Sequence, residues 1–115
     1  MKIIKSENKE WQGGKGYSKK ILFKPNENSI VVQEVKIGSG ETAKSHYHKK
    51  QTEVFYFLND NGYWLVNNEK IEPRVGEVLI IEPNDRHEVV NNSSADYIYL
   101  ALKYNYEEND SFDGS

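Results

Sequence analysis

The chain contains no cysteine, which excludes a disulfide framework, a thiolate nucleophile and a thiolate-rich metal site. No run approaches the roughly 18 apolar residues needed to cross a membrane as a helix. The opening Met1-Lys2-Ile3-Ile4-Lys5-Ser6-Glu7 turns polar too early to form the apolar core of a signal peptide. A cytoplasmic protein with no membrane partner is therefore expected. An excess of positive charge is also missing, since 15 Lys and Arg stand against 18 Asp and Glu for a formal net charge of -3. Clustered cations are what neutralise phosphates, so no nucleic-acid partner is expected. Apolar stripes at helical spacing are absent as well, which leaves no segment for a helix-turn-helix.

What the chain does have is period-two patterning. Its 115 residues, 37% hydrophobic and 29% charged, suit a single globular domain over residues 1–115. Apolar, β-branched and aromatic residues alternate over Lys20 to Phe23, Ser29 to Ile37, Ser45 to Lys49, Glu53 to Leu58, Tyr63 to Val66, Glu77 to Ile81, His87 to Val90 and Tyr97 to Tyr104. Turn residues separate these runs: Pro25-Asn26, Gly38-Ser39-Gly40, Asp60-Asn61-Gly62, Asn67-Asn68, Glu82-Pro83-Asn84-Asp85 and Asn91-Asn92-Ser93-Ser94. About eight short strands in one small chain predict an all-β antiparallel sandwich or barrel. Residues 1–16 and 107–115 are polar and read as flexible arms. Gly13-Gly14-Lys15-Gly16 lacks the spacing and the flanking strand and helix of a nucleotide loop, and reads as a flexible turn.

The chain has three histidines, and their placement is the most informative feature. His46 and His48 stand two apart, so on a strand both rings project from one face. Glu53 opens a following strand and His87 opens another after a Pro-Asn turn. Together these residues offer three imidazoles and one carboxylate, a donor set suited to one divalent transition ion rather than to Ca or Mg. Octahedral coordination would leave two positions for water or substrate.

These residues resemble both halves of the cupin signature, over roughly residues 36–91. Gly40, His46, His48 and Glu53 match the first half, with Asp60 where a glycine is usual and Gly62 at a second frequent glycine position. Gly76, Pro83, His87 and Asn91 match the second, with Glu82 at a usual proline and Asn84 at a usual glycine. Asn tolerates the left-handed backbone that glycine adopts in such a turn.

The resemblance implies a cupin double-stranded β-helix, or jelly-roll, barrel that binds one divalent metal, Mn, Fe, Ni or Zn, through His46, His48, Glu53 and His87. Within that barrel, alternation from Glu53 turns Phe55 and Phe57 inward, and alternation from His87 does the same for Val89 and Asn91. Gln33, Thr42, Lys44, Arg86, Tyr99 and Lys103 are the candidate polar residues for orienting a small-molecule ligand. The run from His46 to Glu53 and the acidic tail look similar to small mannose-6-phosphate isomerase-like cupins. That likeness implies isomerase-like chemistry on a sugar or sugar phosphate, with Lys103 or Glu82 as candidate base. Metal-dependent oxygenase or oxidase chemistry and non-catalytic ligand binding are the alternatives. Cupins commonly dimerise through N-terminal strands, so a homodimer is expected.

Overall fold

The computed structural model describes residues 1–25 and 29–115. Asn26, part of one expected turn, lies outside the described residues. Among the described residues, a 3-10 turn at Ser6–Asn8 is followed by eleven strands: β1 (Gln12–Gly13), β2 (Ser18–Phe23), β3 (Val31–Ile37), β4 (Thr42–Tyr47), β5 (Thr52–Phe57), β6 (Tyr63–Val66), β7 (Glu69–Ile71), β8 (Val78–Ile81), β9 (His87–Val90), β10 (Tyr97–Tyr104) and β11 (Phe112–Asp113). They form a six-stranded sheet, β1-β2-β3-β10-β5-β8, facing a five-stranded sheet, β11-β4-β9-β6-β7. Neighbouring strands are antiparallel. This is the all-β antiparallel architecture expected from the alternation, and it is consistent with the jelly roll that the resemblance implies.

The period-two pattern converts directly into burial. In β3, Val31, Gln33, Val35 and Ile37 point inward and the residues between them are more exposed. Phe55, Phe57, Trp64, Ile81, Tyr97 and Tyr99 join Val35, Ile37, Ala43, Val89 and Ala101 in the core between the sheets. Trp64 Nε1 donates to Tyr97 Oη at 3.0 Å, so the indole is buried with its polar group satisfied. The opposite face of the larger sheet exposes Tyr56, Val78, Ile80 and Leu102.

Turn chemistry follows the sequence closely. Asn67 and Asn68 both have positive φ, 49° and 70°, as a tight hairpin between β6 and β7 requires. Asn84 has φ 74° and occupies the left-handed position in place of glycine. Asp60 is outside that region, and the glycine requirement falls instead on Gly62, where a Cβ would meet the Tyr97 ring at 2.3 Å.

Strand limits differ most from the alternation in four places. Gln12–Gly13, within the polar stretch 1–16 expected as a flexible arm, forms β1 against β2. The strand expected over Ser45 to Lys49 runs instead from Thr42 to Tyr47, and it ends before Lys49 because the backbone N–H groups of Lys49, Lys50 and Gln51 turn to a side-chain acceptor described below. The short β7 carries Glu69 and Lys70 and gave no apolar signal. The polar residues 107–115 contribute β11, paired to β4 through Phe112–Tyr47 and Asp113–His46.

Candidate metal centre

His46 sits in β4 directly opposite His87 in β9. His48 follows the end of β4, and Glu53 is the second residue of β5. The register shift in β4 between Ala43 and His46 re-aims the strand as it approaches the site. Ring centroids of His46 and His87 are 4.2 Å apart, those of His46 and His48 5.1 Å, and those of His48 and His87 5.3 Å. One potential ligand atom from each of the four residues falls within 4.8 Å of the others. Glu53, His48 and His87 are 5%, 6% and 1% exposed, so three of the four are sealed from bulk water.

The second nitrogen of each ring decides what the first can do. His46 Nδ1 lies 2.9 Å from the Lys44 carbonyl, His48 Nδ1 2.5 Å from the Asp110 carbonyl and His87 Nδ1 2.9 Å from the Asp85 carbonyl. A carbonyl oxygen only accepts, so each Nδ1 carries the proton and each Nε2 is left with a lone pair. The Nε2 atoms of His48 and His87 are buried with no hydrogen-bond partner. His48 Nε2 nevertheless stands 2.7 Å from Glu53 Oε1, and His87 Nε2 stands 3.5 Å from it. A lone pair and a carboxylate oxygen at that separation, without hydrogen-bond geometry, repel unless positive charge lies between them. The donor set therefore fits a divalent transition ion: backbone carbonyls hold its imidazoles with Nε2 free to ligate.

Electrostatics points the same way. Burial first, and then the His87 ring, push the His46 imidazole down to about 4 from its ordinary 6.5. Burial alone would raise the Glu53 pKa, but positive charge shared with the facing His48 and His87 rings, followed by Lys103, holds it well below the usual carboxylate range. Glu53 is thus charged at neutral pH. The His46 shift carries a stability consequence for the metal-free protein. The unfolded chain binds this proton near pH 6.5 and the folded chain only near pH 4, so stability is fully present above 6.5 and is lost as pH falls toward 4. Allowing for partial exposure, the loss is on the order of 2 kcal/mol. Urea midpoints of chelator-treated protein at pH 7 and pH 4.5 should differ accordingly and differ less in His46→Gln; equal pH dependence in both would contradict this origin.

A cavity of about 280 Å³ opens over the four residues. Gln33, Tyr99 and Lys103 line it as expected, together with Phe55 and Val89. Thr42, Lys44 and Arg86 do not. Lys44 contributes only its carbonyl, and Arg86 lies over the Tyr47 ring and donates to the Gly114 carbonyl. Glu82 is exposed and away from the cavity, because it precedes the Pro83-Asn84 turn on the outer surface. Phe57 packs deeper, in the core. Asn91 is buried but its Nδ2 donates to the carbonyls of Ile37 and Ala95, so it holds strand ends together.

The structure adds residues that sequence reasoning missed. Trp64 lines the cavity and stacks on His87 at 6.2 Å between centroids. Lys19 enters from β2, in phase with Tyr17 and Ile21, an alternation visible in the sequence once β2 is extended to Ser18. Asp110 has no such signal. Its carboxylate accepts from the backbone N–H of Lys49, Lys50 and Gln51 while its carbonyl holds His48. Those three hydrogen bonds outweigh burial and lower its pKa.

Comparison with known proteins agrees with this architecture. The chain is 29% identical over 112 residues to an uncharacterized protein of Methanocaldococcus jannaschii, covering 90% of this chain and 88% of that one. A predicted oxalate decarboxylase of Thermotoga maritima superposes with a TM-score of 0.82 at 17% identity, covering 90% of this chain and 98% of the other. Pac13, a nucleoside dehydratase of Streptomyces, superposes with a TM-score of 0.80 at 15% identity over 97% and 89% of the two chains. KdgF from Halomonas sp. gives 0.81 at 16% identity over 94% and 96%. The model of the cupin domain matches residues 33–103, which hold all four residues of the cluster. With this match and this fold, the chain belongs to the cupin domain family.

Proposed function

We propose that the chain is a divalent-metal-dependent enzyme acting on a small oxygenated metabolite, with His46, His48, Glu53 and His87 holding a single ion. The observation that carries this reading is the convergence of three imidazole Nε2 atoms and a buried carboxylate at the base of the cavity. When bound, a divalent transition ion supplies a Lewis acid for a carbonyl or hydroxyl oxygen, and Mn, Fe or Ni also gives access to redox chemistry.

The chain's own residues supply orientation and exclusion. Hydrogen bonds from the three Nδ1–H groups fix the rings, and Phe55, Trp64 and Val89 keep water from one side of the cavity. Gln33 is 5% exposed, and Gln51 has an amide nitrogen buried without a partner, so both side chains face the cavity free to bind a ligand. Lys103 is the candidate for moving a proton, since of the two bases considered it lines the cavity and Glu82 does not. Isomerisation of a sugar or sugar phosphate is the reaction we favour within this class. Polar donors from Gln33, Gln51 and Lys103 beside the aromatic surface of Phe55, Trp64 and Tyr99 suit a polyhydroxylated substrate. A nucleoside dehydratase and a predicted oxalate decarboxylase share this barrel, so fold does not choose among activities.

Elemental analysis of untagged protein, with electron paramagnetic resonance on the same sample, tests the reading. About one equivalent of Mn, Fe, Ni or Zn per chain is expected, followed by turnover of a hexose phosphate. Oxygen uptake without isomerisation would move the assignment to oxygenase chemistry. Absence of metal even after reconstitution would remove the four-ligand site.

A further inference from the structure

Beside the candidate ligands the cavity wall becomes cationic. Lys19 and Lys103 both line it, from strands on either side of β3. Lys19 pairs in register with Val35 and Lys103 with Val31, and Gln33 lies between those two on the same inward face. The three side chains thus follow one another across the inner surface of the sheet. Among the described residues, Lys24, Lys50 and Lys70 form ion pairs with Glu108, Glu107 and Glu72, while Lys19 and Lys103 form none.

Two ammonium groups sharing a cavity without anionic partners is a costly arrangement. Burial lowers the Lys19 pKa, and repulsion from Lys103 and then Lys24 lowers it further. The acidic groups nearby relieve this only in part. Glu53, opposite Lys103 in the β5–β10 ladder, is shared with the histidines, Glu107 is held by Lys50, and Asp110 by three backbone N–H groups. With a divalent ion bound, one carboxylate would balance neither the ion nor the two lysines, leaving the cavity positive.

We propose that Lys19, Gln33 and Lys103 form an oxyanion subsite, so that the cavity takes a small hydroxylated ligand bearing a carboxylate or a phosphate. The anion sits between the two ammonium groups and accepts from the Gln33 amide, and its hydroxyl-bearing end lies toward Gln51 and the metal ligands. This names the ligand class of the site proposed above and rests on the reading that the cavity admits a small oxygenated molecule.

The test is a titration of metal-free protein, followed by amide chemical shifts, with gluconate, with glucose 6-phosphate and with the neutral polyol glucitol. Saturable shifts at Lys19, Gln33 and Lys103 are expected with one or both anions, at least about 10-fold tighter than with glucitol. Gluconate alone would mark a carboxylate site and glucose 6-phosphate alone a phosphate site. In a Lys19→Met/Lys103→Met protein, which keeps the apolar stems, the preference for anions should vanish while metal stoichiometry stays at the wild-type value. No saturable shift with either anion, no preference over glucitol, or a preference that survives in the double variant overturns the subsite. Because the titration contains no metal, that failure leaves the metal assignment standing, and a failed metal assignment leaves the anion result readable.

Discussion

A His87→Ala protein should fold and lose metal. His87 is 1% exposed, lies opposite His46 across the β4–β9 ladder and stacks on Trp64, so its Nε2 is held at the centre of the cluster. Loss of a partner that merely orients a ligand weakens metal sites by about 10–100-fold, so loss of the ligand itself should exceed about 100-fold. The barrel should survive, because the deletion also removes an unpartnered buried nitrogen beside the Glu53 carboxylate. Competition with a chromophoric chelator measures the affinity and circular dichroism reports the fold. Wild-type affinity in this variant would take His87 out of the ligand set. Glu53→Gln refines the result: it keeps the shape and removes the charge, and weakened binding with a normal fold marks the carboxylate as a ligand.

The second large effect is expected from Asp110→Ala, far from the others in sequence. The substitution removes one acceptor from each of the Lys49, Lys50 and Gln51 backbone N–H groups. Two of these donors are on exposed residues and recover water, so the net cost is about 2–3 kcal/mol, not three full charge-assisted bonds. The loop they brace carries His48 at its start, and the Asp110 carbonyl sets the tautomer of that ring. Metal affinity should therefore fall by about 10–100-fold even though no proposed ligand is touched. Urea unfolding and the same chelator competition check both halves. Lost stability with unchanged affinity would make Asp110 a strut for the loop and nothing more. Asp110→Asn keeps one carboxamide oxygen and should fall between the two.

The strands were legible because alternation is a local property. In β3, β5 and β10 each inward residue is set by its neighbours two away, and the structure buries Val35, Phe55 and Tyr99 accordingly. Asn67-Asn68 and Asn84 were legible for a related reason, since Asn is the side chain that best tolerates positive φ. The short strands β7 and β11 were not, because three residues or fewer carry no period. β11 exists only because Phe112 and Asp113 find an edge on β4, and Phe112 then stacks on Tyr47.

By itself the sequence determined the alternating strands, their principal turns and the four residues that the barrel gathers within 4.8 Å. These features are encoded by spacing and residue type, which need no partner to be read. Only the tertiary structure decided which strands are neighbours, and with them every property that depends on contact. It set β2 and β10 on either side of β3, so that Lys19 and Lys103 share one cavity, and it left Glu82 outside. It also brought Asp110 back across 62 residues to hold His48. The physical reason is range: steric preference and periodicity act over a few residues, whereas hydrogen bonds and charge interactions act between whatever groups the packed sheets place side by side.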